Sequence, residues 1–335
     1  MLVFLYAYIK ANISPVVKHL SEILFAFMPL PLIKSLEPYL RQGDGDRLSA
    51  LFEIENLLTT TMQTLVKEIR SPLRYPGGKT RAAELLLSKF PDFREYREPF
   101  VGGGSVALKS IQRWSDRQFW INDLNFDLFC FWLECRTSAK DLASYVEYDR
   151  QKAMASVDGG KALFEELKNS PARNSTWARA ARFFILNRIT FSGTIESGGY
   201  SQEAYEKRFT LSSVARITAL SGLLTKTKIT NLDYEEVMEV PGEDVFIFLD
   251  PPYWGNKSSK LYGINGDLHS GFDHDRFAEV CRRSPHKLAI TLDNCPEVWS
   301  AFNGFNIEPF DLQYGMNNYR QASAAIGKEV LITNY

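Results

Sequence analysis

The chain has 335 residues, of which 45% are hydrophobic and 24% are charged, and its formal net charge is −1. These proportions are typical of a soluble globular protein, and the length allows one large domain or two ordinary ones. The four cysteines (Cys130, Cys135, Cys281 and Cys295) are too few for a disulfide framework and lack the paired CxxC spacing of a zinc site. We interpret them as thiols in a reducing cytoplasm.

Residues 1–61 are apolar with helical spacing, but Lys10, Lys18 and Glu22 interrupt the apolar run. The charge-free stretch that follows is shorter than the roughly 20 residues needed to span a membrane. A signal peptide is not favoured, because no basic segment comes before the apolar stretch. We therefore expect an N-terminal helical extension of unknown role, with Met62 as an alternative start.

Strands and helices alternate from residue 73 onward. The predicted elements, in order, are a helix over 81–89, an extended segment over 95–100, a helix over 105–114, a strand over 118–123 and a helix over 126–136. This βαβα order predicts an α/β fold, with a Rossmann-like, mostly parallel sheet covered by helices on both faces. Residues 62–136 are accordingly predicted to be the first part of a catalytic domain.

The alternation stops over residues 137–225, which are helix-rich and polar. Residues 168–228 contain ten Lys and Arg against three Glu, a net charge of +7 that leaves −8 for the rest of the chain. Such a basic region indicates contact with a polyanion, although a solvated helical face is an alternative explanation. We predict that 137–225 is an inserted helical domain.

Residues 226–335 return to the strand and helix pattern and are predicted to complete the catalytic domain. Strands are expected at KITNLDY (228–234), VFIFLD (245–250), KLAITLD (287–293) and EVLITNY (329–335), with a helix over 272–283. VFIFLD is almost entirely apolar, as expected of a central strand buried on both faces. Ligands in open α/β sheets bind at the carboxyl ends of strands, which directs attention to the loops after EYREPF and VFIFLD.

The first of these loops is EPFVGGGS (98–105). Gly102 and Gly104, between a strand and a helix, allow a tight turn and a close approach of backbone to ligand. The absence of a following Lys-Ser/Thr pair excludes a Walker-type phosphate loop. Asp123 follows Gly102 by about 20 residues, the usual place of a ribose-binding acid. This motif predicts an adenosine-containing cofactor, and at this point NAD and S-adenosylmethionine both remain possible.

The second loop is Asp250-Pro251-Pro252-Tyr253, which ends the VFIFLD strand. An exocyclic base amine is a poor nucleophile because its lone pair is delocalised into the ring. A carboxylate from Asp250 and the carbonyl oxygen of Pro251 can each accept one amine hydrogen bond and localise that lone pair. The two prolines fix the backbone, and Tyr253 offers a face on which an extruded base can stack.

Two other groups of residues are interpreted as structural. His269 and His274 lack a second ligand pattern, so we expect surface or hydrogen-bonded histidines and no metal site. Phe131 and Trp132 are expected to pack a helix instead of forming a platform for bases.

An ordered set of motifs gives the chain a resemblance to a known family. RYPGGK (74–79), EPFVGGGS, Asp123, NLDY (231–234) and FLDPPYW (248–254) follow one another as they do in the DNA adenine methylase family, over residues 71–335. LNRITFSG (186–193) and EVLITNY resemble further landmarks. The chain is similar to N6-adenine-specific DNA methyltransferases of the DPPY type, whose fold is that of S-adenosylmethionine-dependent methyltransferases with an inserted target-recognition domain.

The resemblance implies specific roles. An S-adenosylmethionine site is expected at Tyr75, Lys79, Phe100, Gly102, Gly104, Asp123, Asp233 and Tyr234. The catalytic tetrapeptide is Asp250, Pro251, Pro252 and Tyr253, and it would act by base flipping and direct in-line transfer. DNA contacts are expected at Arg188, Lys207 and Arg208 of the insert, mainly to phosphates.

The departures from the family pattern limit what the resemblance implies. Residues 193–210 (GTIESGGYSQEAYEKRFT) differ from the family's better-known recognition segment, so the target sequence is not carried over. The rival hypotheses are an N4-cytosine or RNA-base methyltransferase, an NAD-dependent oxidoreductase, and a non-catalytic DNA-binding protein. The expected partner is double-stranded DNA, with no membrane and no metal. We expect a monomer, with a dimer as the alternative, in a bacterial or phage-infected cytoplasm.

Overall fold

The computed structural model describes residues 68–75, 77–170, 175–195, 197–254, 271–313 and 326–335. The chain divides into two compact units, Met1–Glu68 and Ile69–Tyr335. The expected helical extension over 1–61 and the alternative start at Met62 lie outside the described residues. In the described ranges, no helix has the length and apolar character to cross a membrane.

Seven strands form one sheet in Ile69–Tyr335. They are β1 (Glu95–Glu98), β2 (Gln118–Asn122), β3 (Lys228–Thr230), β4 (Val245–Leu249), β5 (Lys287–Asp293), β6 (Asn306–Gln313) and β7 (Ile326–Thr333). Their spatial order is β3-β2-β1-β4-β5-β7-β6. The first five are parallel to one another, and β7 pairs antiparallel with both β5 and β6. The mostly parallel α/β sheet predicted from the sequence is confirmed.

Helices connect the strands. They are α1 (Ala83–Ser88), α2 (Ser105–Arg113), α3 (Phe126–Thr137), α4 (Ala139–Met154), α5 (Gly159–Asn169), α6 (Thr176–Ile189), α7 (Gln202–Arg208), α8 (Leu211–Leu224), α9 (Tyr234–Glu239), α10 (His274–Arg283) and α11 (Pro296–Ala301), with a 3-10 turn at Phe191–Gly193. Six of them, α3 to α8, follow one another between β2 and β3, and α4 to α8 lie in the region expected to be helical. The division into two catalytic parts and an insert stays a prediction.

Strand β4 shows why the sheet has a core on each face. All five of its residues are buried, and successive side chains of a strand point to opposite faces. Phe246 and Phe248 belong to one hydrophobic cluster, and Ile247 and Leu249 belong to the other. Full burial of such a side chain stabilises the fold by about 1.5–3 kcal/mol. A polar substitution in β4 would therefore weaken the packing between the sheet and the hydrophobic cluster that the substituted side chain faces.

Three elements differ from the sequence-based expectations. The segment KITNLDY is a strand only over Lys228–Thr230, because Asp233 caps α9 by accepting from Glu235 N at 3.0 Å. Strand β6 was not predicted, since its sequence carries Pro309 among charged residues. It forms nevertheless at the sheet edge, where a proline that cannot donate is tolerated. Helix α11 was also missed, although it begins with a proline at its first position.

The cysteines are free thiols, and three of the four are buried. Burial raises the pKa of Cys130 to about 11, which keeps that thiol protonated. Cys130, Cys135 and Cys281 are thus buried thiols, and Cys295 is partly exposed.

The order of the strands identifies the ligand-binding edge. Strand β1 lies between β2 and β4. The chain adds β2 and β3 on one side of β1 and then adds β4 and β5 on the other side. The carboxyl ends of β1 and β4 are therefore neighbours at the switch point of the sheet, where open α/β folds bind ligands. The glycine turn and the Asp250 tetrapeptide follow these two strands.

Candidate active site

Asp250 follows the last residue of β4 and is bound on both carboxylate oxygens. Lys79 Nζ donates to Oδ1 at 2.7 Å and to Oδ2 at 2.9 Å. Thr291, from the neighbouring β5, donates its hydroxyl to Oδ1 at 2.8 Å. The Asp250 side chain is 22% exposed, while the Lys79 side chain is only 2% exposed. Asp250 is thus anchored from inside the protein and presents its outer side to the ligand-binding edge.

Lys79 is fixed by its surroundings. Its ammonium group also donates to Gly77 O at 3.1 Å and lies 3.9 Å from Oε2 of the buried Glu329. It lies 5.0 Å from the centre of the Tyr253 ring, within reach of a cation–π attraction. The sequence placed Lys79 at the cofactor, whereas in the structure its charged end lies on Asp250 and beside Tyr253.

The loop after Asp250 is held by residues at the start of α10 and at the end of β5. The Pro252 carbonyl oxygen is 3.0 Å from His274 Nε2, and Trp254 N donates to Asp293 Oδ1 at 2.9 Å. The His274 ring lies 4.3 Å from the Trp254 ring. His274 is therefore a hydrogen-bonded histidine, as expected, while His269 lies outside the described residues. These contacts fix the backbone that carries the tetrapeptide.

The glycine turn after β1 has a left-handed backbone, with φ of 46° at Gly102 and 68° at Gly104. A Cβ on Gly102 would stand 2.9 Å from the Tyr75 ring, and one on Gly104 would stand 2.7 Å from the Trp132 ring. Trp132 also donates its indole N–H to Gly102 O at 3.1 Å. Only glycine fits this turn. Trp132 is buried, which confirms the expectation that it packs its helix against the fold.

Asp123, at the end of β2, supports the same turn. Its carboxylate accepts from Gly102 N at 2.9 Å and from Asn125 N at 3.0 Å. Burial raises the pKa of Asp123 to about 6, an effect partly opposed by these two N–H groups. A carboxylate has about four acceptor positions, so two remain for ribose hydroxyls.

Phe100 and Tyr234, predicted from separate motifs, lie together. Their ring centres are 5.4 Å apart, and Phe272 packs within 5.8 Å of each. The Tyr234 hydroxyl is buried and has no hydrogen-bond partner within the described part of the chain. Asp233 lies beside this aromatic wall, where it caps α9 and pairs with Arg276 at 2.9 Å. An aromatic wall with an unsatisfied hydroxyl is suited to an adenine ring.

These features fit an adenosine-containing cofactor. The glycine turn leaves no room for side chains, Asp123 keeps acceptor positions, and the Tyr234 hydroxyl needs a partner. All three lie at the carboxyl ends of β1 and β2 or just after β3. As for metals, no cluster of three or more His, Cys, Asp or Glu side chains that could hold an ion occurs among the described residues.

Sequence reasoning missed two buried polar residues at this edge. Asn122 donates to Pro99 O and to Leu232 O, both at 3.0 Å, and so ties the turn after β1 to the turn after β3. Glu98 accepts from the Tyr96 hydroxyl at 2.5 Å, and burial raises its pKa well above its usual range, with Asp250 adding to the effect. Both residues end a strand beside the switch point, which is the signal that could have identified them.

The expected DNA contacts occupy different environments. Lys207 and Arg208 are exposed at the end of α7. Arg188 is only 6% exposed, and its guanidinium donates to Pro72 O at 3.0 Å and to Arg208 O at 2.8 Å. In the structure Arg188 therefore lies inside the protein, bound to backbone carbonyls, and the expected DNA contact at Arg188 is not on the surface with Lys207 and Arg208.

Comparison with known proteins agrees with this geometry. Type II methyltransferase M.MjaIII of Methanocaldococcus jannaschii is 25% identical over 293 residues, which cover 80% of this chain and 100% of that protein. DNA N-6-adenine-methyltransferase of Escherichia phage P1 is 26% identical over 291 residues, 79% of this chain but 36% of the phage protein. DNA adenine methylase of Vibrio cholerae is 24% identical over 233 residues, 68% of this chain and 81% of that protein.

The family match covers both halves of the site. Residues 75–316, well over half of the chain, match the family described as D12 class N6 adenine-specific DNA methyltransferase. The match extends from the loop that carries Lys79, through the glycine turn and Asp250, to beyond Thr291. The chain therefore belongs to the D12 class of N6 adenine-specific DNA methyltransferases, enzymes that methylate adenine in DNA.

Proposed function

We propose that this protein is a site-specific methyltransferase that transfers a methyl group from S-adenosylmethionine to N6 of adenine in double-stranded DNA. The observation that carries the proposal is the anchored carboxylate of Asp250, set at the switch point of the sheet beside a glycine turn. When bound, S-adenosylmethionine supplies an electrophilic methyl group. The protein's own residues must then hold the amine, exclude water and receive a proton.

Asp250 is proposed to orient the adenine amine. One N6 hydrogen bond goes to its carboxylate and the other to the carbonyl oxygen of Pro251, which turns the nitrogen lone pair out of conjugation with the ring. The amine loses one proton as it gains the methyl group, and the Asp250 carboxylate that holds the amine would accept that proton. Catalysis of this kind rests on positioning and on preorganised charge.

Lys79 and Thr291 are proposed to fix Asp250 for this task. Their three hydrogen bonds prevent the carboxylate from rotating in a partly buried site. A carboxylate can accept about four hydrogen bonds, so the exposed side of Asp250 can still accept the amine. This role replaces direct cofactor contact as the main function of Lys79.

Cofactor binding is proposed for the remaining residues of the edge, which are Tyr75, Phe100, Gly102, Gly104, Asp123, Asp233 and Tyr234. The support is their convergence around the glycine turn and the aromatic wall. Asp123 would hold the ribose hydroxyls, and Tyr234 would face the adenine ring. For Asp233, the carboxylate is already engaged by Arg276, so its contribution would be to position Tyr234 through the cap of α9.

The target adenine must leave the DNA stack to reach Asp250, at a cost of a few kcal/mol. Tyr253 and the fixed Pro251-Pro252 backbone offer the surface on which that base would stack. The basic insert is proposed to hold the DNA, with Lys207 and Arg208 at phosphates. We place the reaction in the cytoplasm of a bacterial or phage-infected cell, and we expect a monomer.

The test is the transfer of labelled methyl from S-adenosylmethionine to mixed-sequence duplex DNA, followed by nucleoside analysis. The proposal is supported if the label is in N6-methyldeoxyadenosine and long-read mapping places the modified bases within one short sequence. Label in N4-methyldeoxycytidine would overturn the choice of substrate. No label in the DNA, with label in an RNA substrate assayed in parallel, would overturn the choice of nucleic acid.

A further inference from the structure

The motif LNRITFSG (186–193) spans the last turn of α6 and the 3-10 turn that follows it, and the proposed reaction gives it no role. Its Asn187 is completely buried, and its side chain pairs with the backbone of Arg74. Asn187 Oδ1 accepts from Arg74 N at 2.9 Å, and Nδ2 donates to Arg74 O at 2.6 Å. The two residues are 113 positions apart in the chain. One amide thus satisfies both backbone groups of the residue that precedes Tyr75.

The same turn encloses Arg74 from a second direction. Nδ2 of Asn187 also donates to Gly193 O at 3.2 Å. Gly193 has φ of 72°, and a Cβ on it would stand 2.4 Å from Arg74 O. Ser192 and Ile195 have φ of 52° and 47°, values that are unusual for such residues and persist only where the surroundings impose them. The turn is therefore shaped to the backbone of Arg74.

Two arginines of the helical region extend the contact along the chain. Arg188 donates to Pro72 O at 3.0 Å, and Arg216 donates to Ser71 O at 3.4 Å. Burial lowers the pKa of Arg188, and Arg74 and Arg216 add to that effect. Three carbonyl oxygens of residues 71–74, those of Ser71, Pro72 and Arg74, are thus held by side chains of α8 and α6.

The segment held in this way leads directly into the active site. Tyr75 O accepts from Gly78 N at 3.1 Å, which closes the turn before Lys79. The Tyr75 ring lies against Gly102, and Lys79 reaches Asp250. A displacement of Arg74 would therefore move the residue that covers the glycine turn and the residue that anchors the catalytic carboxylate.

We infer that Asn187 is a positioning residue for methyl transfer: it fixes the loop bearing Tyr75 and Lys79, and links that loop to the basic helical region. The inference rests on the proposed function for its catalytic consequence. Asn187 is completely buried, so it touches neither DNA nor the methyl donor and acts through Arg74.

The experiment compares Asn187→Ala with Leu167→Ala. Leu167 is a buried residue of α5, a helix that makes none of the hydrogen bonds to residues 71–74. Hydrogen exchange of peptides covering residues 70–82 should speed up in Asn187→Ala and not in Leu167→Ala. The single-turnover methylation rate should fall about 100-fold, the scale of a 1 Å misplacement, while DNA affinity stays within about threefold.

A second variant keeps the test decisive if Asn187→Ala fails to fold. Asn187→Ser keeps a small uncharged polar group in the buried site but is too short to bridge Arg74 N and Arg74 O, so an intermediate loss of rate and of exchange protection is expected. If the folded variants retain wild-type exchange in 70–82 and rates equal to that of Leu167→Ala, the inference is overturned. An inactive wild-type protein would instead count against the proposed function, and the exchange result would still decide the role of Asn187.

Discussion

Lys79 and Asp250 are joined by two hydrogen bonds, 2.7 and 2.9 Å long, from one ammonium group to both oxygens of one carboxylate. The pair unites the first family motif with the catalytic tetrapeptide, which lies 171 residues later. Removing one partner of a buried pair leaves the other charge uncompensated. The geometry of Asp250 therefore depends on Lys79.

Replacing Lys79 with methionine should reduce the methylation rate while preserving cofactor affinity. The side chain keeps its length and loses its charge, so Asp250 is free to rotate. We expect a fall of about 100-fold in the single-turnover rate, because positioning supplies most of the catalysis. Lys89→Met, which removes an exposed lysine paired with Glu308 at 2.8 Å, is the matched control. An equal loss of donor affinity and rate would instead return Lys79 to the cofactor site.

Thr291→Val should have a smaller effect of the same kind. Valine fills the space of the threonine and removes the 2.8 Å bond to Asp250 Oδ1. A hydrogen bond to a charged group contributes at least about 1.5 kcal/mol, so a decrease of at least about 10-fold in the single-turnover rate is expected. Combining this change with Lys79→Met should give less than the product of the two effects, because both act on one carboxylate. Full multiplicativity would show that they act separately.

Asp123 should make cofactor binding pH-dependent. Its raised pKa, about 6, means that the carboxyl is ionised above that pH and protonated below it. The ionised form is the stronger acceptor for ribose hydroxyls, so donor affinity should fall by about fourfold between pH 7.5 and 5.5, in proportion to the ionised fraction. Titration of the donor at several pH values tests this, with Asp123→Asn as the reference. An identical pH profile in that variant would rule out Asp123 as the titrating group.

Lys207 and Arg208 should contribute to DNA binding through phosphates. Each contact released should reduce the slope of log K against log salt by about 0.9, with little change between DNA sequences. Fluorescence anisotropy of Lys207→Ala and Arg208→Ala over a salt series measures the slope. Arg94→Ala, an exposed arginine paired with Glu243 outside the helical region, should leave it unchanged. Equal slopes in all variants would place the DNA elsewhere.

Much of the fold could be predicted because most of its strands have a local hydrophobic pattern that can be recognised in the sequence. The apolar run of β4 marked a buried central strand, and the motif after it placed Asp250 at the sheet edge. Strand β6 has no such pattern. It contains Pro309, and its pairing with β7 over eight positions depends on the partner strand, not on its own sequence.

The contacts within the site were less predictable, because they join distant parts of the chain. Sequence spacing cannot show that Lys79 reaches Asp250 or that Asn187 pairs with Arg74. It also cannot show burial, which is why Arg188 was expected at the DNA and is found inside the protein. An arginine in a basic region looks the same in the sequence whether it lies on the surface or is buried.

The most direct test of the account is Asp250→Ala, assayed for donor binding and for labelled methyl transfer to DNA in the same preparation. The account predicts that methylation is lost while S-adenosylmethionine still binds with an affinity within about threefold of wild type, since Asp250 acts on the amine. Near-native methylation by the variant would contradict the central role of Asp250 and of the carboxylate anchored by Lys79 and Thr291.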